Sequence, residues 1–247
     1  MRLNDPDAMN AVSDEMLDGL WSCLNEVENS KSNIKCLVIT GEGRGFCAGA
    51  NLAGGSDRSN TGRQDAGHRL ETSYHPILRR IKNLKIPMIT SVNGPAAGVG
   101  MSLALMGDII LAGKSAFFLQ AFRRIGLVPD GGSTWLLPRL VGMARAKELA
   151  ILGERLSAEK AFEWGLINRL FEDNELHNES LKLAQELSHG PMSLGLIRKA
   201  FWESFDNSYE EQINLERELQ FTAGQSNDFK EGVTAFLEKR DANFTGK

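Results

Sequence analysis

Residues 86–113 read IPMITSVNGPAAGVGMSLALMGDIILAG, and the class of fold follows from this run. IPMITSVNG (residues 86–94) is short, apolar and partly β-branched, as a buried strand requires. Pro87 sits near its start, where a residue without an N–H is tolerated. PAAGVGMSLALMG is a glycine-punctuated turn running into a helix, and DIILAG is a further strand. Strand, glycine-rich turn, helix and strand in immediate succession predict an α/β core with functional loops at strand ends.

The same alternation extends upstream. Residues 13–28 predict a helix, with Ser13 as N-cap and Met16, Leu20, Leu24 and Val27 at helical spacing. IKCLVIT (residues 34–40) predicts a buried strand, and GEGRGFCAGANLAGG (residues 41–55) a loop with unusual backbone angles. Residues 56–67 are polar and expected to be mobile; residues 69–83 are expected to be helical. The opening LNDPDAMNA is turn-like where a strand is expected, so the start is expected to be shortened relative to its relatives.

Downstream, IGLVPDGGSTWLLPRLVG (residues 125–142) is again a loop entering a helix. Beyond Ser157 the pattern is expected to be helical: SAEKAFEWG, then residues 191–205, 209–220 and 228–240. Such a C-terminal helical layer is expected to pack on a neighbouring subunit.

Composition narrows the function. The chain has 247 residues, 42% hydrophobic and 24% charged, with a formal net charge of −4. This is globular composition, without the basic stripe that nucleic-acid binding needs. Three cysteines (Cys23, Cys36, Cys47) form no CxxC pair and point to a reducing compartment. No apolar run is long enough to span a bilayer, and the start is not that of a signal peptide, so a cytoplasmic location is expected, with no membrane partner.

The glycine-rich turns around Gly49 and Gly98 fit neither G-x-G-x-x-G nor G-x-x-x-x-G-K. Phosphate binding at a helix N-terminus, an oxyanion hole built from two converging N–H donors, and mere tight-turn packing all remain open on composition.

The segments GFCAGANL, NGPAAGVGMSLAL, GDIILAG and GLVPDGGSTWLLPRLVG, with the tail EGVTAFLEKRDANF, resemble the crotonase (enoyl-CoA hydratase/isomerase) superfamily over nearly the whole chain. The resemblance implies a crotonase (ClpP-like) spiral of ββα units over residues 1–190, carrying an acyl-CoA site. It also implies a helical trimerisation region over residues 191–247, hence a homotrimer or hexamer. By the same mapping the oxyanion donors are the backbone N–H groups of Ala50 and Val99. The substrate is a coenzyme A thioester, its adenine side along Ala48, Gly49 and Ala50, with Phe236 and Lys239 of the last helix also approaching it. No permanently bound cofactor or metal is implied. Some relatives place a lysine where Asp7 stands, so that phosphate contact is missing.

Hydratases of this superfamily use two glutamates, and the matching positions here are Ser102 and Phe122. Neither side chain is an acid or base near neutral pH, so ordinary hydration is not expected. Asp130, in the VPDGG turn, stands where several isomerases and an aryl-CoA dehalogenase of the superfamily carry a carboxylate. The pattern most resembles members that isomerise 1,2-epoxyphenylacetyl-CoA and related enoyl-CoAs. Catalysis by Asp130 competes with a plain role as a helix cap near Gly131.

His177 and His189 read as surface residues; His68 and His75 flank the mobile helix, with a place in the acyl pocket as the lesser alternative. Ser102 reads as a packing residue rather than a nucleophile, and Trp135 as a helix anchor. Arg123 and Arg124 read as solvated, with coenzyme A phosphate or a partner as alternatives.

Overall fold

A computed structural model describes residues 1–51 and 65–247. The polar segment therefore lies outside the described residues as far as residue 64. The strands are β1 (Arg2–Leu3), β2 (Leu37–Gly41), β3 (Met88–Val92), β4 (Ala96–Ala97), β5 (Ile109–Gly113), β6 (Phe117–Leu119), β7 (Arg155–Ser157) and β8 (Arg169–Phe171). Five of them form a parallel sheet in the order β1-β2-β3-β5-β8; β4, β6 and β7 form a second sheet.

Helices connect the two sheets: α1 (Asp14–Glu28), α2 (His75–Lys82), α3 (Val99–Ala104), α4 (Ser133–Val141), α5 (Met143–Leu152) and α6 (Ala158–Glu163). The repeat is visible in this order. β3, β4 and α3 form one ββα unit and β5, β6 and α4 the next, each placing its first strand in the large sheet and its second in the small one. The preceding unit follows the same plan, because Cys47 bridges Ala96 in parallel after β2 and before α2.

The centre of the large sheet is β3, buried along its whole length. Its two polar residues are satisfied internally: Thr90 Oγ1 donates to the Ala104 carbonyl at 2.7 Å, and Ser91 meets Ser180 at 2.8 Å. That satisfaction lets a Thr–Ser pair sit in a strand that otherwise reads as a continuous apolar run. Ser13 caps α1 as expected, its side chain accepting the Met16 N–H at 3.2 Å.

Two expectations are corrected. Leu3, read as the start of the turn-like opening, lies instead with Arg2 in an edge strand paired in parallel with Thr40 and Gly41, while Pro6–Ala8 beyond it is the turn that was expected. The region after Ser157 is not uniformly helical, because β8 adds to the large sheet beside β5. Both strands are too short to carry a period of two, so only their partners in space reveal them.

α7 (Asp173–Ser188), α8 (Ser193–Ser204), α9 (Tyr209–Gly224) and α10 (Asn227–Glu238) complete the chain. α8 is fastened to the core by Arg198, which is 5% exposed. Its guanidinium donates to Asp108 Oδ2 at 2.8 Å and to the carbonyls of Ile81 (2.8 Å) and Leu84 (3.2 Å) at the end of α2. A buried charge answered this fully is costly to unpair, so α8 is held firmly on the core. Among the described residues, no helix is long and apolar enough to cross a membrane.

Candidate active site

The two glycine-rich loops meet. Gly49 has φ +106°, and a Cβ there would lie 3.0 Å from the Ala97 carbonyl oxygen. Gly98 has φ +53° and leads directly into α3. Only glycine reaches these angles without strain, and only glycine lets the two backbones come this close. Two asparagines hold the first loop: Asn10 donates to the carbonyls of Glu42 (2.9 Å) and Gly45 (2.8 Å), and Asn93 donates to that of Gly43 (2.9 Å).

This meeting leaves two N–H groups without acceptors among the described residues. The bridge to Val12 uses the Gly49 carbonyl and the Asn51 N–H and passes over the Ala50 N–H. Val99 is the first residue of α3, where a helix N–H has no intrahelical acceptor. Ala50 and Val99 both line a cavity of about 450 Å³.

Asp130 lines the same cavity. Its carbonyl oxygen accepts from Ser102 Oγ (2.9 Å), Ser133 Oγ (2.9 Å) and the Ser133 N–H (3.1 Å). The backbone thus performs the capping, since α4 begins at Ser133 with no side-chain cap. The carboxylate is left for other work. Its Oδ1 is buried and has no hydrogen-bond partner among the described residues. Burial pushes the Asp130 pKa up to about 6, an effect that the nearby His75 only partly offsets.

Ser102 is accordingly more than the packing residue expected from sequence, since it clamps the turn that carries Asp130. The contact is tight: a Cβ on Gly131 would lie 2.7 Å from Ser102 Cβ. Phe122, 6% exposed, walls the cavity beside Gly98. No acid stands at the Ser102 or Phe122 positions.

The cavity's other wall comes from the segment before α2, where the expected helix opens with a π-helical turn, Leu70–Tyr74. Tyr74 lines the Asp130 cavity, whereas His75 lines an adjoining pocket with Gly131, Trp135 and Trp202. His75 Nδ1 lies 3.0 Å from Glu71 Oε2, and Arg79 also reaches Glu71, at 3.3 Å. Sequence reading missed Tyr74, because the wide turn that carries it leaves no signature in residue spacing.

Other candidates fall as follows. Ala48 and Gly49 line the cavity. Phe236, 82% exposed, and Lys239, at the end of α10, are not among its lining residues. Arg123 and Arg124 are not merely solvated: they bond the carbonyls of Leu152 (3.0 Å) and Gly153 (2.8 Å), and Arg124 also reaches the cavity. Trp135 stacks on Trp202 with centroids 5.7 Å apart. His68, His177 and His189 are exposed. Cys47 is a buried thiol pushed up to about 11 by its burial, which keeps it protonated and inert. Among the described residues, no three His, Cys, Asp or Glu side chains gather as a metal site.

A larger cleft, about 790 Å³, lies between the ends of α1 and α2 and α8. Of its acids, Glu28 is already taken by Arg80 at 2.8 Å, and it holds no buried, unpartnered carboxylate among the described residues. The Asp130 cavity, with its buried carboxylate oxygen unpartnered among the described residues, is the candidate site.

Nested ββα units and two loops meeting beneath a cavity define the crotonase fold. The chain belongs to the enoyl-CoA hydratase/isomerase family, whose model matches residues 1–247. It is 46% identical over 248 residues to the 1,2-epoxyphenylacetyl-CoA isomerase of Escherichia coli (strain K12), covering 100% of this chain and 94% of that protein. It is 34% identical over 247 residues to the crotonyl-CoA hydratase of Syntrophomonas wolfei, covering 99% and 93%. Among solved structures, an enoyl-CoA hydratase from Polaromonas sp. JS666 superposes with a TM-score of 0.88 at 33% identity, covering 99% of this chain and 95% of that one. The family acts on acyl-CoA substrates. Its members bear both isomerase and hydratase names, so the reaction must be argued from the site.

Proposed function

We propose that this protein is an acyl-CoA isomerase that shifts a double bond, or rearranges an epoxide or ring, in an enoyl- or phenylacetyl-CoA-type thioester. The observation that supports this reading is a half-buried carboxylate, Asp130, whose buried Oδ1 has no hydrogen-bond partner among the described residues, in one cavity with the N–H groups of Ala50 and Val99, which lack acceptors among the same residues.

The thioester oxygen accepts from both N–H groups, and negative charge flowing onto it makes the adjacent C–H acidic. Asp130 takes a proton from one carbon and returns it to another, so atoms and charge balance without a cofactor. A carboxylate at its ordinary pKa is a weak base; raised to about 6, it is ionised at neutral pH and more basic. Hydration lacks its two acids, Ser102 and Phe122 standing in their places.

The coenzyme A part would run along Ala48, Gly49 and Ala50. Phe236 and Lys239 lie off this chain's cavity, so their help would go to a thioester bound by a neighbouring copy. Phe229, Val233, Phe236 and Leu237 leave α10 with an exposed apolar stripe, which favours a homotrimer or hexamer through residues 191–247 in a cytoplasmic enzyme. Sedimentation at micromolar concentration should give a trimer or hexamer; a monomer contradicts that assembly.

The test of the reaction is incubation with 3-enoyl-CoA and 2-enoyl-CoA in deuterated water. Isomerisation with deuterium uptake is expected, and hydration of crotonyl-CoA near background. Efficient hydration would make the protein a hydratase with an unrecognised acid. No change in either substrate would favour a binding subunit.

A further inference from the structure

Among the polar groups that line the cavity and that the proton transfer does not use is the phenol of Tyr74. Its ring belongs to the hydrophobic core and the residue is 6% exposed, yet it lines the cavity shared by Ala50, Val99 and Asp130. The hydroxyl makes no hydrogen bond among the described residues and is not one of the fully buried orphan oxygens. The core therefore holds the ring while the O–H opens on the cavity. The π-helical turn ending at Tyr74 shifts the helix register here, turning Tyr74 to the cavity and His75 to the pocket beyond.

This hydroxyl is a donor at any working pH. Burial pushes its pKa above the ordinary phenol value, the Arg69 charge partly counters that, and the Asp130 carboxylate adds to the rise. With no acceptor among the described residues, this donor is free to bond an oxygen of a bound ligand in place of water. The thioester oxygen is already served by two N–H groups. The acceptor therefore lies further along the acyl group.

We infer that Tyr74 donates a hydrogen bond to an oxygen carried by the acyl group itself, of the epoxide, ether, hydroxyl or carbonyl kind, and so selects oxygenated acyl thioesters over plain hydrocarbon ones. The inference rests on the isomerase reading for its kinetic form, but not for its binding form.

The test pairs two coenzyme A thioesters of one carbon skeleton, with and without that oxygen, on wild type and Tyr74→Phe. The expected result is a loss of about 10- to 100-fold in kcat/KM for the oxygenated thioester and less than about threefold for the hydrocarbon one, the size of one lost hydrogen bond. The hydrocarbon rate doubles as a check that the variant folds. Equal losses on both substrates, or no preference for the oxygenated thioester in wild type, would overturn the inference. If wild type turns over neither, the isomerase reading fails. Calorimetric dissociation constants of the same pair then decide the Tyr74 contact: a preference lost in Tyr74→Phe supports it, and an unchanged one overturns it.

Discussion

Asp130 and Asp228 are both withdrawn from water, and their surroundings are opposite. Asp228, 2% exposed at the start of α10, accepts the N–H groups of Met192 (2.8 Å), Thr245 (2.7 Å) and Gly246 (2.9 Å). Burial pushes its pKa up, but these hydrogen bonds outweigh it and hold the carboxyl below the usual range. It ties the last residues back onto the start of α8. Asp130 has burial without the bonds, and its pKa rises. A carboxylate that the fold satisfies serves the fold; one buried and left unsatisfied is a candidate for work on a substrate, the role proposed for Asp130.

The sharpest way to break this contrast is kinetic. Asp130→Asn should lower turnover by about two to four orders of magnitude, the range for losing a general base, with thioester binding nearly unchanged. Asp228→Asn should leave turnover within about threefold, because it lies away from the cavity. Steady-state rates of the two variants on one thioester decide it; near-normal turnover of Asp130→Asn would sink the role assigned to that residue.

Stability should separate the pair with opposite signs. Asp228→Ala should cost about 2–3 kcal/mol, since it orphans charge-assisted hydrogen bonds. Its folded pKa is depressed, so its contribution is complete above the unfolded carboxylate pKa and is lost as pH falls through the folded value. Asp130 has the reverse sign. Its folded pKa exceeds the unfolded one, so ionisation destabilises the fold as pH rises past about 4 and fully above about 6. Asp130→Asn should therefore stabilise at pH 8, by at most about 3 kcal/mol. Urea unfolding of both variants at pH 8 and pH 4 checks the signs.

The smallest effect concerns the clamp. Ser102→Ala removes one of three donors to the Asp130 carbonyl while Ser133 keeps two. A loss of about three- to tenfold in kcat is expected, with KM unchanged. A loss as deep as that of Asp130→Asn would give Ser102 a chemical role.

The same contrast marks what the sequence makes legible. The Asp130 turn and both loops announce themselves, because positive φ demands glycine and the strand beside each loop is a short, largely apolar run. Asp130's freedom from capping was not readable: that depends on Ser102 and Ser133 taking over its carbonyl, one of them from another helix. Tyr74 was hidden by a change of helix type, and β1 and β8 by their brevity. The Asp228 hook joins three chain segments that are far apart in sequence, and such a contact leaves no local period.

The most direct test is the pH dependence of kcat/KM for wild type and Asp130→Asn. The base must be ionised in the free enzyme, so activity should fall about tenfold per pH unit below a midpoint of about 6. Asp130→Asn should show a low profile without that limb. A wild-type midpoint at the ordinary carboxylate value near about 4, or the same limb surviving in Asp130→Asn, would contradict the account.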